Sequence, residues 1–203
     1  MTDVASPASS RVARRRDRRK QQIVGSAVRL LAEHGYQGVS VEAVAEECDI
    51  AKATLYHYFS SKDELVGEAL ESVTLDVLRR LSARSEAAGP GAVDRLRALI
   101  DEQILILVED TPEVAPIFAW PAGWPEQFAE PLKTMRRRHN ALFRAVIEDG
   151  LADGELDCAD VDVALHCLHG ILNQTAVWLP GDADRAAGRA ATTACALRLF
   201  TSM

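Results

Sequence analysis

The sequence has few of the residues that build disulfide frameworks, metal clusters or membrane spans. Its four cysteines, Cys48, Cys158, Cys167 and Cys195, form no CxxC pair, and aromatic residues make up only 5% of the chain. The first ten residues contain no apolar signal core, and no apolar run reaches the roughly 20 residues that cross a bilayer. These absences predict a cytoplasmic protein with reduced thiols, no membrane association and no cofactor.

Catalytic patterns are also missing. The sequence shows no Ser/His/Asp order, no Gly-rich phosphate loop and no His/carboxylate metal spacing. His166 and His169 stand three residues apart beside Cys167, but no carboxylate completes a recognised metal pattern. We therefore expect neither an enzyme nor a metal site.

The charges are divided unevenly along the chain. The formal net charge is −7, which by itself argues against a nucleic-acid partner. Residues 1–65 hold ten Lys/Arg and nine Asp/Glu, a net of +1, whereas residues 66–203 hold 13 and 21, a net of −8. Seven Lys and Arg against Asp17 give residues 11–20 a charge of +6. This basic run favours contact with DNA phosphates or the minor groove over a merely solvated surface.

Residues 39–65 show the pattern of two short helices joined by a tight turn. Ser40 is predicted to cap the first helix, with Glu42 in the first turn, where negative charge is stabilising. The turn falls at residues 48–50, because Asp49 tolerates a left-handed backbone. The second helix, 51–58, exposes polar and aromatic side chains that suit phosphates and base edges. Residues 61–64 then form a capping box that opens the next helix.

This helix-turn-helix pattern resembles the DNA-binding region of the TetR family of bacterial transcriptional regulators. The resemblance covers Ile23 to Leu65, and its most specific part is the run Thr54 to Phe59 followed by Lys62. Asp49 and Ala51 depart from the Gly and Ser that are frequent there. The resemblance implies a homodimer on a palindromic, double-stranded DNA operator. The expected DNA contacts are Arg14, Arg15, Arg18, Ser40, Val41, Lys52, Ala53, Thr54, Tyr56, His57 and Lys62.

Hydrophobic periodicity predicts an all-α fold of about nine helices. We expect a flexible basic arm at 1–17, a helix-turn-helix DNA-binding domain at 18–64, and a larger helical domain for ligand binding and dimerisation at 65–203. A helix from Lys62 to about Arg84 is predicted to carry the signal between the two domains. Its predicted apolar face consists of Leu65, Ala69, Val73, Leu75 and Leu78.

The last two predicted helices, 160–179 and 182–201, are expected to form the dimer interface. The second of them is rich in alanine, and small side chains let two helices approach closely. Together with a two-fold mate, the pair would build a four-helix interface. Gly170, Ala190 and Ala194 are predicted to lie at its close contacts.

A ligand cavity is predicted between the helices 62–84, 93–108 and 126–150, closed by the proline-rich segment 110–125. That segment is also compatible with an irregular cap over the core. His139 is read as a satisfied core histidine or as a polar contact in the cavity. The run 136–138 is read as solvated, or as a site for a ligand's anionic tail. The expected lining is Leu107, Phe118, Trp120, Trp124, Phe128, Met135, His139 and Phe143.

The sequence thus predicts a ligand-responsive regulator, which we expect to be a repressor. The stretch Ala164 to Gly181 resembles the equivalent helix of TetR-type regulators of lipid and steroid breakdown, which implies a small apolar or acyl-CoA-type effector. The alternative keeps DNA binding but replaces the ligand with oxidation of Cys48 or Cys167.

Overall fold

The structure, a computed structural model, describes residues 7–110, 124–179 and 185–201. Within those ranges it contains eight α-helices and no β-strand, so the predicted all-α class is confirmed. The helices are α1 (Pro7–Gly38), α2 (Val41–Glu47), α3 (Lys52–Tyr56), α4 (Lys62–Ala87), α5 (Ala92–Leu105), α6 (Ala129–Ala152), α7 (Val161–Trp178) and α8 (Arg185–Leu197). A π-helical turn (Ile106–Asp110) follows α5, and 3₁₀ turns (Glu126–Phe128 and Arg198–Phe200) precede α6 and follow α8.

The chain divides into two compact units that meet inside α4. The first unit ends at Ser72 and the second begins at Val73, whereas the sequence placed the domain boundary at 64/65. Because α4 runs from Lys62 to Ala87, it belongs to both units.

The basic run near the N-terminus lies on a helix. α1 begins at Pro7 and continues to Gly38, interrupted by Gly35, whose φ of 64° is positive. Arginine and alanine are good helix formers, and proline is well placed in a first helical turn. The predicted flexible arm at 1–17 is therefore helical from residue 7 onward, and this part of the sequence prediction is corrected.

The first unit is held together by an apolar core shared by α1 to α4. The apolar face of α1 is buried and consists of Ile23, Ala27, Leu30 and Leu31. Two ion pairs fix the helices at the surface of this unit: Arg29 Nη2 lies 2.7 Å from Glu47 Oε1, and Lys20 Nζ lies 2.8 Å from Glu68 Oε1. Together they tie α2 and the start of α4 to α1.

The apolar face of α4 differs in part from the prediction. Leu75 is 50% exposed, because it lies about 200° around the helix from Val73. The buried stripe instead follows steps of three and four residues through Leu65, Val66, Ala69, Leu70, Val73, Val77 and Leu81.

α5 is the central helix of the second unit and packs against α6, α7 and α8. Its N-terminus has no cap from Gly91; instead Glu155 Oε2 accepts a 2.6 Å hydrogen bond from the Ala92 backbone N–H. Where α5 approaches α6, a Cβ on Gly150 would lie 2.7 Å from the Ala92 Cβ. Any side chain at position 150 would clash with Ala92, so the close contact between α5 and α6 requires glycine there. This contact brings polar side chains of α5 close to α6.

Candidate nucleic-acid interface and ligand cavity

The helix-turn-helix geometry follows from the predicted capping residues. Ser40 Oγ accepts a hydrogen bond of 3.0 Å from the Ala43 N–H and caps α2. Asp49 has a φ of 51°, the one positive value among the described non-glycine residues. Both predictions are confirmed, and together they fix the start of α2 and the turn into α3.

The second helix of the motif is shorter than predicted. α3 comprises Lys52–Tyr56, and its N-cap, Ala51, makes no side-chain hydrogen bond. The chain then continues in a tight turn in which the Tyr58 N–H donates to the Leu55 carbonyl at 2.8 Å. Leu55 and Phe59 are 0% and 1% exposed. These two side chains anchor α3 to the core and turn its other face outward.

The outward face of α3 carries the groups that can read DNA. Tyr56 is 45% exposed, Lys52, Ala53 and His57 are exposed, and Thr54 is half-buried. Lys52 forms an ion pair with Glu42, and its ammonium lies 5.9 Å from the centre of the Tyr56 ring. The hydrogen bond to Glu42 raises the pKa of Lys52, so this side chain is cationic at any physiological pH. Sequence reasoning had placed Glu42 as a dipole partner only, and missed this pairing.

Lys62 has an internal role that the sequence did not reveal. Its Nζ donates to the Tyr36 carbonyl at 2.6 Å and lies 4.1 Å from the centre of the Tyr36 ring. The Tyr36 hydroxyl in turn donates to Asp63 Oδ1 at 2.5 Å, and this bond raises the Tyr36 pKa. Lys62 thus joins the end of α1 to the start of α4.

The predicted capping box of α4 is present in altered form. Ser61 Oγ accepts from the Glu64 N–H at 3.1 Å, as predicted. The returning bond, however, reaches Ser60 and not Ser61: Glu64 Oε2 accepts from the Ser60 N–H at 2.6 Å. Glu64 therefore caps α4 from one residue further out, which closes the loop between α3 and α4.

Val41 is the predicted DNA contact that the structure places inside the protein. Its side chain is 6% exposed and packs in the core of the first unit, because it lies on the same face of α2 as Val44 and Ala45. Ser40 beside it is half-buried and spends its hydroxyl on the helix cap. At this helix start, the backbone N–H groups are what remains for a phosphate.

The basic residues of α1 are divided between two roles. Arg14, Arg15 and Arg18 are exposed, and their spacing of three and four residues puts them on one side of the helix. Lys20, by contrast, pairs with Glu68 and lies 5.4 Å from the centre of the Phe59 ring. The three arginines that were predicted to contact DNA are therefore exposed, whereas Lys20 is held within the first unit.

Replacing these three arginines should change the salt dependence of DNA binding more than its sequence preference. We expect the variant Arg14→Ala/Arg15→Ala/Arg18→Ala to flatten the slope of log K against log[salt] by about 2–3 units, because each phosphate contact releases counterions. The measurement is operator binding at several salt concentrations. The control is Arg79→Ala/Arg84→Ala/Arg97→Ala, which removes the same charge from exposed positions of the second unit. An unchanged slope would show that the α1 arginines are only solvated.

α7 presents an apolar stripe to its surroundings. Val163, Val177 and Trp178 are 59%, 77% and 54% exposed. Cys167, Gly170 and Gln174 are also exposed, and together these residues recur every three or four positions. On α8 the exposed residues include Ala187, Ala191 and Ala194. The small residues of α8 and the stripe of α7 are the surfaces that the sequence assigned to a dimer interface.

A cavity of about 330 Å³ lies between α5, α6 and α7. Among the described residues that line it, Leu172 is apolar and the others are basic, amide or histidine side chains. The lining comprises Gln103, Lys133, Arg136, Arg137, His139, Asn140, His166, His169, Leu172 and Asn173. The predicted cavity had α4 as one wall, whereas no described residue of α4 lines this one.

The side chains that were predicted to line the cavity lie mostly elsewhere. His139 lines it, but Leu107, Phe128, Met135 and Phe143 are 0–4% exposed and are not part of the lining. Trp124 is half-buried, and its ring centre lies 5.7 Å from that of Phe128. Phe118 and Trp120 lie outside the described residues. The apolar side chains of α6 are thus buried in the core, and the polar residues next to them form the cavity wall.

The part of the cavity wall formed by Gln103, His139 and His169 is polar but uncharged. His139 Nε2 lies 2.6 Å from Gln103 Oε1, and because an amide oxygen only accepts, the histidine donates. Burial lowers the pKa of His139 to about 3 and that of His169 to about 4. Both imidazoles are therefore neutral at physiological pH. Sequence reasoning did not identify Gln103 as part of the cavity. Helical periodicity places this residue on the buried face of α5 but does not indicate that its amide lines a cavity.

The cysteines and histidines show no metal-binding arrangement in the described ranges. No group of three His, Cys, Asp or Glu residues there is placed to hold an ion. All four cysteines are free, with Cys48 half-buried and Cys167 exposed. Burial raises the pKa of Cys158, which lowers its reactivity. The redox hypothesis stays a prediction.

A capped helix-turn-helix with a polar, exposed second helix defines this chain as a DNA-binding protein of the bacterial regulator type. Residues 23–69 match the family described as bacterial regulatory proteins, tetR family, and residues 89–196 match the tetracyclin repressor-like C-terminal domain. The chain belongs to the TetR family.

Relatives and solved structures agree with this assignment. The regulator BetI of Burkholderia mallei is 30% identical over 123 residues, which span 60% of each chain. FadR from Bacillus subtilis, solved with stearoyl-CoA, superposes with a TM-score of 0.73 at 20% identity and covers 88% of this chain and 96% of its own. AibR, solved with isovaleryl coenzyme A and operator DNA, gives 0.76 at 21% identity and covers 91% and 100%. At these identities the two structures show a shared fold. In addition, no helix in the described ranges is long and apolar enough to cross a membrane.

Proposed function

We propose that the chain is a cytoplasmic, ligand-responsive repressor that binds a palindromic operator as a homodimer and is released by a small effector in the second unit. The observation that carries the DNA half of this proposal is the outward face of α3. Its cation, aromatic ring and imidazole are exposed, while the buried Leu55 and Phe59 hold the helix in place. A rigid helix with such groups suits the major groove.

The homodimer half of the proposal is supported by the exposed stripe of α7. Three large apolar side chains at more than half exposure are unusual on one helix of a water-soluble domain. α8, which carries the small residues, packs against α7, so two copies related by a two-fold axis can bring four helices together. A two-fold dimer also explains why the operator should be palindromic.

Two observations support the proposed effector: the cavity between α5, α6 and α7, and the ligands of solved structures that share this fold. Two structures with this fold were solved with CoA thioesters. A ligand acts only through unequal affinity for two arrangements of the dimer. α4 begins directly after the loop that follows α3 and ends in the second unit, so we assign the transmission of the signal to this helix.

An acyl-CoA thioester should weaken operator binding. We expect saturating isovaleryl-CoA, dodecanoyl-CoA or stearoyl-CoA to lower the affinity by about 5–150-fold, the range of ordinary allosteric coupling. The measurement is fluorescence anisotropy of a duplex selected from a random DNA pool. The same titration with the free fatty acids and with hydrogen peroxide separates the alternatives.

Two outcomes would change the proposal. If no thioester shifts operator binding while a free acid does, the effector is a small apolar acid. If only the oxidant releases DNA, and replacing Cys48 by serine abolishes the release, the redox alternative takes its place.

A further inference from the structure

The charged side chains that line the cavity between α5, α6 and α7 are all positive, and all of them come from α6. Three cations of α6, namely Lys133, Arg136 and Arg137, line it. Their spacing of three and four residues places them on one side of the helix. No aspartate or glutamate occurs among the described residues of the lining.

The two arginines differ from four other arginines of the second unit. Arg80, Arg95, Arg144 and Arg189 each pair with a carboxylate on another helix or turn. Arg136 and Arg137 form no ion pair with any residue that the structure describes. Lys133 has one exposed partner, Glu130 on the preceding turn, at 3.2 Å. Among the described residues, the positive charge of Arg136 and Arg137 beside this cavity is therefore uncompensated.

The inner wall of the cavity carries an unused hydrogen-bonding atom. His169 Nε2 is buried and has no hydrogen-bond partner among the described residues. The centre of its ring lies 5.2 Å from that of His139, whose own Nε2 already donates to Gln103. A buried polar atom without a partner costs free energy, so a ligand group that reaches this nitrogen from the cavity would gain a stabilising hydrogen bond.

We propose that this cavity is a phosphate-binding site, in which Lys133, Arg136 and Arg137 hold the phosphates of the ligand and His169 Nε2 bonds to an adjacent uncharged group such as an amide or hydroxyl. A guanidinium binds phosphate oxygens through two parallel N–H bonds. The proposal rests on the proposed function in one respect, that the effector binds in the second unit. It adds that the phosphorylated part of the ligand, and not its apolar tail, occupies the space between α5, α6 and α7.

The decisive test is binding of coenzyme A by the full-length protein, measured by isothermal titration calorimetry. The variant is Arg136→Gln/Arg137→Gln, and the control is Arg79→Gln/Arg97→Gln, which removes the same charge from exposed arginines outside this cavity. We expect the first variant to weaken binding by about tenfold or more, since hydrogen bonds to charged groups are the strong ones. The control should bind as the wild type does.

A second variant separates the two parts of the site. His169→Phe keeps a ring of similar size but removes the unpartnered nitrogen. It should weaken coenzyme A binding while leaving the salt dependence unchanged, whereas the arginine variant should flatten it. Titration with 3′-dephospho-coenzyme A and with adenosine 3′,5′-bisphosphate then shows which phosphates are held.

The outcomes for the site and for the proposed function are distinct. Equal coenzyme A binding by the wild type and the arginine variant, or no binding of any phosphorylated probe by the wild type, would overturn the site. If the wild type binds coenzyme A thioesters through these arginines but keeps its operator, the site stands and the proposed release mechanism fails. If thioesters release the operator equally from both proteins, the mechanism stands and the site does not.

Discussion

Removing the exposed aromatic ring of α3 and the imidazole that follows it should strongly weaken specific operator binding. In Tyr56→Ala/His57→Ala, each lost base contact costs about 1–3 kcal/mol, so the two together weaken the specific complex by about thirtyfold or more. Both residues are exposed, and surface changes of this kind alter stability by about 0.5 kcal/mol or less. The fold should therefore be unaffected, and binding to unrelated DNA, which depends on phosphates, should persist.

The measurement compares operator and scrambled duplex in the same salt, with thermal unfolding recorded for each variant. His34→Ala serves as the control, because it removes an exposed histidine of the same unit away from α3. Lys62 is left intact, since its hydrogen bond to the Tyr36 carbonyl would confuse a loss of contact with a loss of structure. A folded double variant with wild-type operator affinity would contradict the proposed docking of α3 in the major groove.

If α7 forms the proposed dimer interface, Gly170→Arg should convert the protein to a folded monomer. A Cβ at Gly170 would meet no described heavy atom within 4 Å, so the protomer has room for the new side chain. Replacing a glycine inside a helix also stabilises the helix by about 1 kcal/mol. In a close contact between two copies of α7, however, the arginine has no space and no partner. The variant should therefore lose self-association and operator affinity while its helix content is unchanged.

Sedimentation velocity provides the measurement, and Gly67→Arg provides the control. Gly67 is also a helical glycine with open space at its Cβ, but it lies on α4 in the first unit. If Gly170→Arg sediments as a dimer at every concentration, the stripe of α7 is not the interface, and the exposed alanines of α8 should be tested next.

The sequence predicted those parts of the molecule that depend on local chemistry. The Ser40 cap and the left-handed Asp49 each follow from one residue and its neighbours, and the structure has both of them. The outcome differed where long-range contacts decide. Lys62 bonds to Tyr36 across 26 positions, and Lys20 pairs with Glu68 across 48, which no local pattern reveals.

The cavity shows the same limit of sequence reasoning. Periodicity identifies the apolar stripe of α6 but does not say that core packing consumes it. The wall of the cavity comes instead from Gln103, His139 and His169, on three different helices. Such a set is visible only once the helices are assembled.

The ion pair between Lys52 and Glu42 has a kinetic consequence for finding an operator. In the unbound protein this lysine already has a counter-charge, and a DNA phosphate must displace it. In the proposed complex, a random duplex would offer only phosphate in return, whereas the operator would add base contacts from Tyr56 and His57. Breaking the ion pair with Glu42 thus costs the same free energy at every DNA site, and only the operator offsets this cost through base contacts. A genome presents about 10⁶–10⁹ competing sites, and a regulator that leaves the wrong ones quickly spends less time trapped on them.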